Sequence, residues 1–514
     1  MDFGYFLRRL DQGSYVDPRK EAVVFRDERI TYQELRDRSY RLASALSSLG
    51  VNKRDRVAVL LRNCSEWFDI FFALASLGAV MVPVNFLLKS KEVEFIVRDS
   101  GAKVLLVGQD LLPLVDPSSE ATPDLDSVIC VGRETPPAPA LSYTDLMQKH
   151  EAAPPGGHPP QADDLFLLQY TSGTTGFPKG AMHTQGTILW NSFHQIGDFT
   201  VAEKDRYLCV PGLCWAAGFH DFVLAALWMG GTVVVVPSGG LEIGPLLEII
   251  QEERITKVLL VPSILKQLVD YPDLKEFDLS SLEFVASGAA PVPVTVIDQF
   301  NALLPKSTLV QGYGLSEGPT IAICLSKQDA IRKIGSVGKP LTNCEALIVD
   351  DSMNRVPPGT KGEIILRSPA TMKGYWNRPE TNQDVFVEGW LRTGDMGEYD
   401  EEGYIYITGR IKDMYISGGL NVYPAEIENV ILKDAGVAET AVIGITDPKW
   451  GEVGCAILVP KEGAEISIPA IETICKEELA AYKVPKKYVL QQQPLPRTAS
   501  GKVKKYELQE SYSE

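Results

Sequence analysis

Between Tyr170 and Gly180 the chain reads Thr171-Ser172-Gly173-Thr174-Thr175-Gly176-Phe177-Pro178-Lys179. Hydroxyl side chains are packed around two glycines, and a lysine follows. Successive backbone N–H groups in a glycine turn form a concave anion site that serine and threonine hydroxyls extend. Lys179 adds one positive charge, a simple partner for a phosphate oxygen. A flexible Ser/Thr/Gly linker is the competing reading. A linker needs neither the apolar run at 165–168, which reads as a buried strand, nor the Pro-Lys-Gly that closes the segment. The pattern is not G-x-x-x-x-G-K-[ST], because Lys179 follows Pro178 and precedes Gly180.

Four further stretches hold groups able to do chemistry. Residues 284–291 run from a strand pattern into Gly288-Ala289-Ala290, small residues against which a flat ring could lie. Residues 311–318, Gln311-Gly312-Tyr313-Gly314-Leu315-Ser316-Glu317-Gly318, set an aromatic ring, a hydroxyl and a carboxylate close together. Taken alone, this could be an ordinary turn. Gly394-Asp395 equally suits a hairpin. Lys502 belongs to a basic C-terminal cluster which, by charge alone, reads as a solvated tail.

The elements that must position these groups alternate between strand and helix. Strands are expected at 22–25, 56–61, 230–237 and 258–262. Thr31 with Glu34 predicts a capping box that opens a helix over 32–49, stopped by Gly50. Such alternation predicts an α/β fold with mixed or parallel sheets covered by helices. Residues 116–160, rich in proline, glycine and acidic side chains, are expected to be a surface excursion. A chain of 514 residues exceeds one ordinary core and implies at least two domains.

Fifty basic against 67 acidic residues give a net charge of −17, which argues against a nucleic-acid-coating surface. No apolar run reaches membrane-spanning length, and the N-terminal residues lack a secretory pattern, so a cytoplasmic protein is expected. The eight cysteines form no C-x-x-C pair and share no metal-ligand spacing with the histidines, so reduced structural thiols are expected and a zinc site is not.

The loop at 170–180 resembles the phosphate loop of the adenylate-forming enzymes: acyl- and aryl-CoA synthetases, peptide-synthetase adenylation domains and luciferase. Other segments follow in that family's order. Residues 313–317 are similar to Y-G-x-[ST]-E, residues 390–395 to W-x-x-T-G-D, and residues 496–502 to P-[KR]-T-x-S-G-K. The resemblance covers about residues 20 to 506.

It implies a large N-terminal ATP- and acyl-binding domain, residues 1–411, and a small mobile α+β lid, residues 412–514, hinged near Lys412. ATP would be held by Thr171, Ser172, Gly173, Thr174, Gly176, Lys179, Gly288, Ala289, Ala290, Gln311, Gly312, Tyr313, Gly314, Asp395 and Arg410. Tyr313 would stack on adenine, and Asp395 would accept from the ribose hydroxyls. Lys502, Ser316, Thr175 and Glu317 would be catalytic, Glu317 also holding Mg²⁺. Gly418, Gly419 and Trp450 would face coenzyme A. Cys214, Trp215, Ala216, Phe219 and Cys324 would line an apolar acyl pocket. Near Cys214-Trp215 the family usually carries P-x-x-H-x-x-G, and here the glycine falls one residue late.

The activity implied is ATP-dependent ligation of a carboxylic acid to CoA through an acyl-AMP, with release of AMP and pyrophosphate. A medium- or long-chain fatty acid leads, with an aryl or cyclic acid next. Loading of a carrier-protein pantetheine, luciferase-like oxidation and a catalytically silent binder are the alternatives. No carrier domain is present and the sequence ends soon after Lys502, which points to a free thiol acceptor. The expected partners are the acid, ATP and CoA, without nucleic acid, and a homodimer is the assembly allowed for.

Overall fold

The computed structural model describes residues 2–12, 16–116, 122–132, 135–156, 159–171, 178–288, 290, 292–418, 420–498 and 502–512. Contacts divide the chain into two compact units, Met1–Glu345 with Leu366–Leu391, and Ala346–Ile365 with Arg392–Glu514. The boundary expected at 411/412 lies inside the second unit.

The first unit is organised on the helix Glu66–Leu77, EWFDIFFALASL, which is apolar nearly all round and buried from Trp67 to Ala75. Such a helix has no face to give to water and must be enclosed. Phe71 meets Phe166 at 4.9 Å, Phe3 at 5.1 Å and Phe219 at 4.7 Å between ring centroids. The helix stops at Gly78, whose φ of +70° is left-handed. The strand Val80–Pro83 then enters a seven-stranded sheet ordered Leu141–Ser142, Ser127–Val131, Val104–Gly108, Arg56–Leu60, Val80–Pro83, Leu165–Thr171, Lys179–Thr184. Its strands pair in parallel except the last two, which form a hairpin. Phe166 thus ties the strand that enters the phosphate loop to the aromatic core.

A second sheet of this unit carries, side by side, Thr232–Val235, Arg206–Cys209, Lys257–Leu259, Phe284–Gly288 and Thr308–Tyr313, all parallel. Ile323–Leu325 then pairs antiparallel with Thr308–Tyr313. The capping box is present in both halves: Thr31 Oγ1 accepts from Glu34 N–H, and Glu34 Oε2 accepts from Thr31 N–H at 2.8 Å. The helix it opens spans Tyr32–Ser48.

The expectation for 116–160 needs correction. Ser127–Val131 and Leu141–Ser142 extend the seven-stranded sheet, and the helix Tyr143–Lys149 buries Tyr143, whose hydroxyl donates to Asp69 at 3.0 Å. The short run Ser127-Val128-Ile129-Cys130-Val131 is covered on both faces. Its flanking prolines and acidic residues concealed it.

In the second unit the strand ending at Tyr399 folds back on Ile405–Arg410, which sets Asp395 opposite Arg410. A separate five-stranded sheet, with Val437–Asp447 and Gly451–Pro460 as its long hairpin, is covered by the helices Pro424–Ile431 and Ile468–Glu478. Among the described residues, no helix is long and apolar enough to cross a membrane. All eight cysteines are free thiols.

Phe71→Ala should cost about 3–5 kcal/mol, since it deletes a ring touching three others. Urea unfolding of the purified variant measures this, and a cost below ~1 kcal/mol would show that the cluster does not set the core.

Candidate active site

Ser172, Gly173, Thr174, Thr175 and Gly176 lie outside the described residues, as do Ala289 and Gly419. The flanks of the phosphate loop are described. Thr171 ends one strand of the hairpin and pairs with Lys179, which begins the other. Thr171 Oγ1 donates to Glu317 Oε1 at 3.0 Å, and Tyr375 OH donates to the same oxygen at 2.9 Å. The second oxygen of Glu317 accepts no hydrogen bond among the described residues. Two hydroxyls fix the carboxylate and leave an oxygen suited to a hard cation. Lys179 Nζ stands 5.4 Å from the centre of the Tyr375 ring.

Tyr375 is itself held. Gly180, Met182 and Lys373–Trp376 exchange backbone hydrogen bonds, and Asn382 Oδ1 accepts from Tyr375 N–H at 2.6 Å. Gly374 has φ +126°, and a Cβ there would lie 2.9 Å from the Asn382 amide. From the sequence no role is assigned to Gly374-Tyr375-Trp376. A tyrosine after a glycine, with an asparagine seven residues on, was the available signal.

The ring-binding expectation rests on two neighbouring strands. Gly288 is in register with Gly312, and a Cβ on Gly288 would approach Gly312 O to 2.8 Å. Gly314 is tighter still, 2.2 Å from Thr320 O. These glycines let the backbone layers close. Gln311 Oε1 accepts from Val292 N–H at 3.3 Å, which ties down the turn that includes Ala290. Tyr313 ends its strand opposite Ile323. Ser316 is anchored by its carbonyl, which accepts His183 Nε2–H at 2.8 Å. Burial holds the His183 imidazole below its usual pKa, and its bond to a carbonyl, which can only accept, places a proton on Nε2.

At the expected acyl pocket the structure separates the residues. Gly218 N–H donates to Trp215 O at 3.0 Å, and a Cβ on Gly218 would strike Gly212 O at 1.9 Å. The tight turn therefore runs from Trp215 to Gly218. Cys214 is buried, with its thiol pushed up to about 12 by burial and its carbonyl accepting from Gln169 Nε2 at 3.1 Å. Ala216 opens the short helix Ala216–Phe219. Phe219 enters the aromatic core with Phe68 and Phe71. Cys324 sits opposite Gly312. Only Trp215, beside Phe86 at 6.1 Å, and Cys324 keep intermediate exposure.

A buried polar network missed by the sequence reading lies close by. Asn191 Nδ2 donates to Thr320 Oγ1 at 2.9 Å and to His220 O at 3.0 Å. Gln195 Nε2 donates to Asp221 Oδ1 at 2.9 Å, and Thr320 Oγ1 donates to that same oxygen. Thr187, Asn191 and Gln195 recur every four residues on the helix Gln185–Asp198, a stripe that was legible as one helix face, and His183 precedes it on the strand Lys179–Thr184.

In the second unit Arg410 Nε donates to Asp395 Oδ1 at 2.6 Å, and Asp395 is 3% exposed. Burial, then the charge of Arg410 with a smaller part from Lys502, lowers the Lys412 ammonium to about 8. Thr498 N–H donates to Lys502 O at 2.7 Å and Lys502 N–H to Thr498 Oγ1 at 3.1 Å, and Lys502 is exposed. Gly418, at φ +59°, donates to Trp450 O at 2.8 Å, and a Cβ there would stand 3.0 Å from the Trp450 ring. Two of the three residues expected on the CoA side, Gly418 and Trp450, are therefore in contact.

Burial raises the Asp221 carboxyl to about 7 from an ordinary 3.8, against hydrogen bonds from Thr320 and Gln195. A proton retained only in the folded state means stability that is full below the unfolded value and is lost as pH rises towards 7. Asp221→Asn removes this slope. Relative to wild type, its urea midpoint should improve between pH 4 and 7 and then level off. The neighbouring His220 stays neutral throughout, at about 3. A difference that does not change with pH would contradict the assignment.

The chain matches the AMP-binding enzyme model over residues 10–376 and the AMP-binding enzyme C-terminal domain over residues 426–502. It is 37% identical to the indoleacetate–CoA ligase of Aromatoleum aromaticum, over 96% of each chain. Against the long-chain-fatty-acid–CoA ligase FadD13 of Mycobacterium tuberculosis it is 37% identical, over 100% of this chain and 99% of that one. The solved o-succinylbenzoate coenzyme A synthetase from Bacillus subtilis, in complex with ATP and magnesium ion, superposes with a TM-score of 0.86 at 31% identity, covering 98% of this chain and 99% of that chain. The chain belongs to the AMP-binding enzyme family, among its AMP-forming acid–CoA ligases.

Proposed function

We propose that the protein activates a carboxylic acid, fatty or aryl, as its acyl-AMP and transfers the acyl group to CoA. The observation that carries this reading is the Glu317 carboxylate, held by Thr171 and Tyr375 at the end of the phosphate-loop hairpin. It is supported by the Asp395–Arg410 pair, whose carboxylate suits ribose hydroxyls.

A carboxylate is a poor acyl donor because its leaving group would be oxide. Attack of its oxygen on the α-phosphorus of ATP forms the acyl–phosphate anhydride and breaks the bond to pyrophosphate. The protein's work is in-line positioning and charge stabilisation. Lys179 and the loop before it would hold the departing pyrophosphate. Lys502 would bridge carboxylate and α-phosphate, and Ser316 would meet that phosphate. Magnesium, when bound at Glu317, neutralises phosphate charge. The CoA thiolate then attacks the acyl carbonyl and AMP leaves. Gly418 and Trp450 would serve this second step, with Lys412 as the hinge between the two half-reactions. The cytoplasm, as a homodimer, is the setting we assign.

The test is CoA-dependent AMP release across fatty, aryl and short acids, with pyrophosphate exchange followed separately. Lys502→Ala should lower acid-dependent pyrophosphate exchange by at least about a hundredfold, since it removes a charge made useful only in the transition state. Gly418→Ala strains a left-handed position and presses on Trp450. It should spare pyrophosphate exchange and slow thioester formation by about tenfold or more. Exchange without any thioester in the wild type would replace the CoA reading with loading of a carrier protein.

A further inference from the structure

His220 and Asp221 are held with unusual care for residues that no step above uses. They are 6% and 2% exposed. Asp221 Oδ1 is occupied by Gln195 and Thr320, but Oδ2 meets no donor among the described residues. The His220 imidazole likewise finds no hydrogen-bond partner among them. Neither Asp221 Oδ2 nor the imidazole is among the fully enclosed polar atoms without a partner, so each borders open space that a ligand group could fill.

The backbone is bent to hold the pair. Phe222, the next residue, has φ +63°, a left-handed position for a bulky side chain. Its N–H donates to Gln195 Oε1 at 2.7 Å, and its ring is locked against Tyr207 at 5.5 Å and Phe199 at 5.2 Å. Strain of this kind persists only where the surroundings over-determine it.

The network is also joined to the reacting segment. Thr320 lies three residues beyond Glu317 and bonds Asn191 and Asp221. His183 bonds Ser316 O. Thr320 O packs on Gly314, directly behind Tyr313. An acid whose carboxylate reaches Ser316 would thus have this polar wall within its own compass. Above about pH 7, where Asp221 is ionised, a plain alkyl chain would leave Asp221 Oδ2 and the imidazole unpaired, whereas a donor on the acid would satisfy them.

We propose that His220 and Asp221, backed by Asn191, Gln195 and Thr320, form a specificity site for an acid that carries a hydroxyl, amino or ring N–H group. This rests on the ligase reading and narrows it from an apolar pocket for a fatty acid to a pocket with one polar wall.

The experiment compares acids of matched shape: 4-hydroxyphenylacetate with 4-methylphenylacetate, and indole-3-acetate with benzothiophene-3-acetate, with dodecanoate alongside. The kcat/KM of CoA-dependent AMP release is measured for wild type, Asp221→Leu, Asp221→Asn and Thr320→Val. Thermal stabilisation by each acid with ATP is read in parallel. Wild type should favour the donor-bearing member of at least one pair by about tenfold or more, since a site built to bond a donor rejects the analogue lacking it. Asp221→Leu should reduce that ratio to within about threefold, through KM and not kcat. Should Asp221→Leu fail to fold, Thr320→Val, which removes one hydroxyl, carries the same comparison. Equal rates within both pairs, a ratio unchanged in the variants, or turnover of dodecanoate alone would overturn the site. If no acid gives a thioester but the donor-bearing acids still stabilise wild type selectively, the ligase reading fails and this one stands. If no acid is turned over or stabilises the protein, both fail.

Discussion

A single carboxylate oxygen, Oε1 of Glu317, receives two hydroxyl protons, and the geometry of the first unit's site follows from that. Thr171 reaches it from the end of the phosphate-loop hairpin, and Tyr375 from a segment laid alongside that hairpin. Hydrogen bonds to an ionised acceptor are short and strong, and two on one oxygen leave little freedom. The aromatic packing around Phe71 matters to chemistry for this reason. It fixes the strand bearing Phe166, hence Thr171, hence the carboxylate.

The second unit uses its charges differently. Arg410 is directed at Asp395, donating to its buried carboxylate. Lys412 sits close to that pair and to Lys502, and burial with like charges weakens its hold on a proton. The concentration of cations there is a local field, opposite in sign to a chain whose net charge is −17. A polyanion such as ATP is met by local geometry and not by the protein's overall charge.

Much of this was legible before any coordinates. The capping box at Thr31 and Glu34, the strand before the loop and the strand–turn at 284–290 are local signals, and local signals survive in a sequence. What escaped depended on distant partners. Ser127–Val131 reads as a few apolar residues in a proline-rich stretch until the strand Val104–Gly108 is placed beside it. Phe219 carries no mark that separates a pocket wall from a core ring, and Phe68 and Phe71 decide for the core. The polar stripe Thr187, Asn191, Gln195 was visible as a spacing, but exposed stripes of that kind are common. Only burial against Asp221 and Thr320 distinguishes it.

The grip on Glu317 has a consequence for how the chain is made. Thr171, Glu317 and Tyr375 span about 200 residues of sequence. On a ribosome adding roughly 5–20 residues each second, Thr171 emerges roughly 10–40 s before Tyr375 does. Through that interval the strand pair Leu165–Thr171 and Lys179–Thr184 has no carboxylate to bond and no third segment to lie against. The site is therefore a late product of synthesis, closed by long-range contacts after the aromatic core has formed. A nascent chain would acquire its fold well before its chemistry.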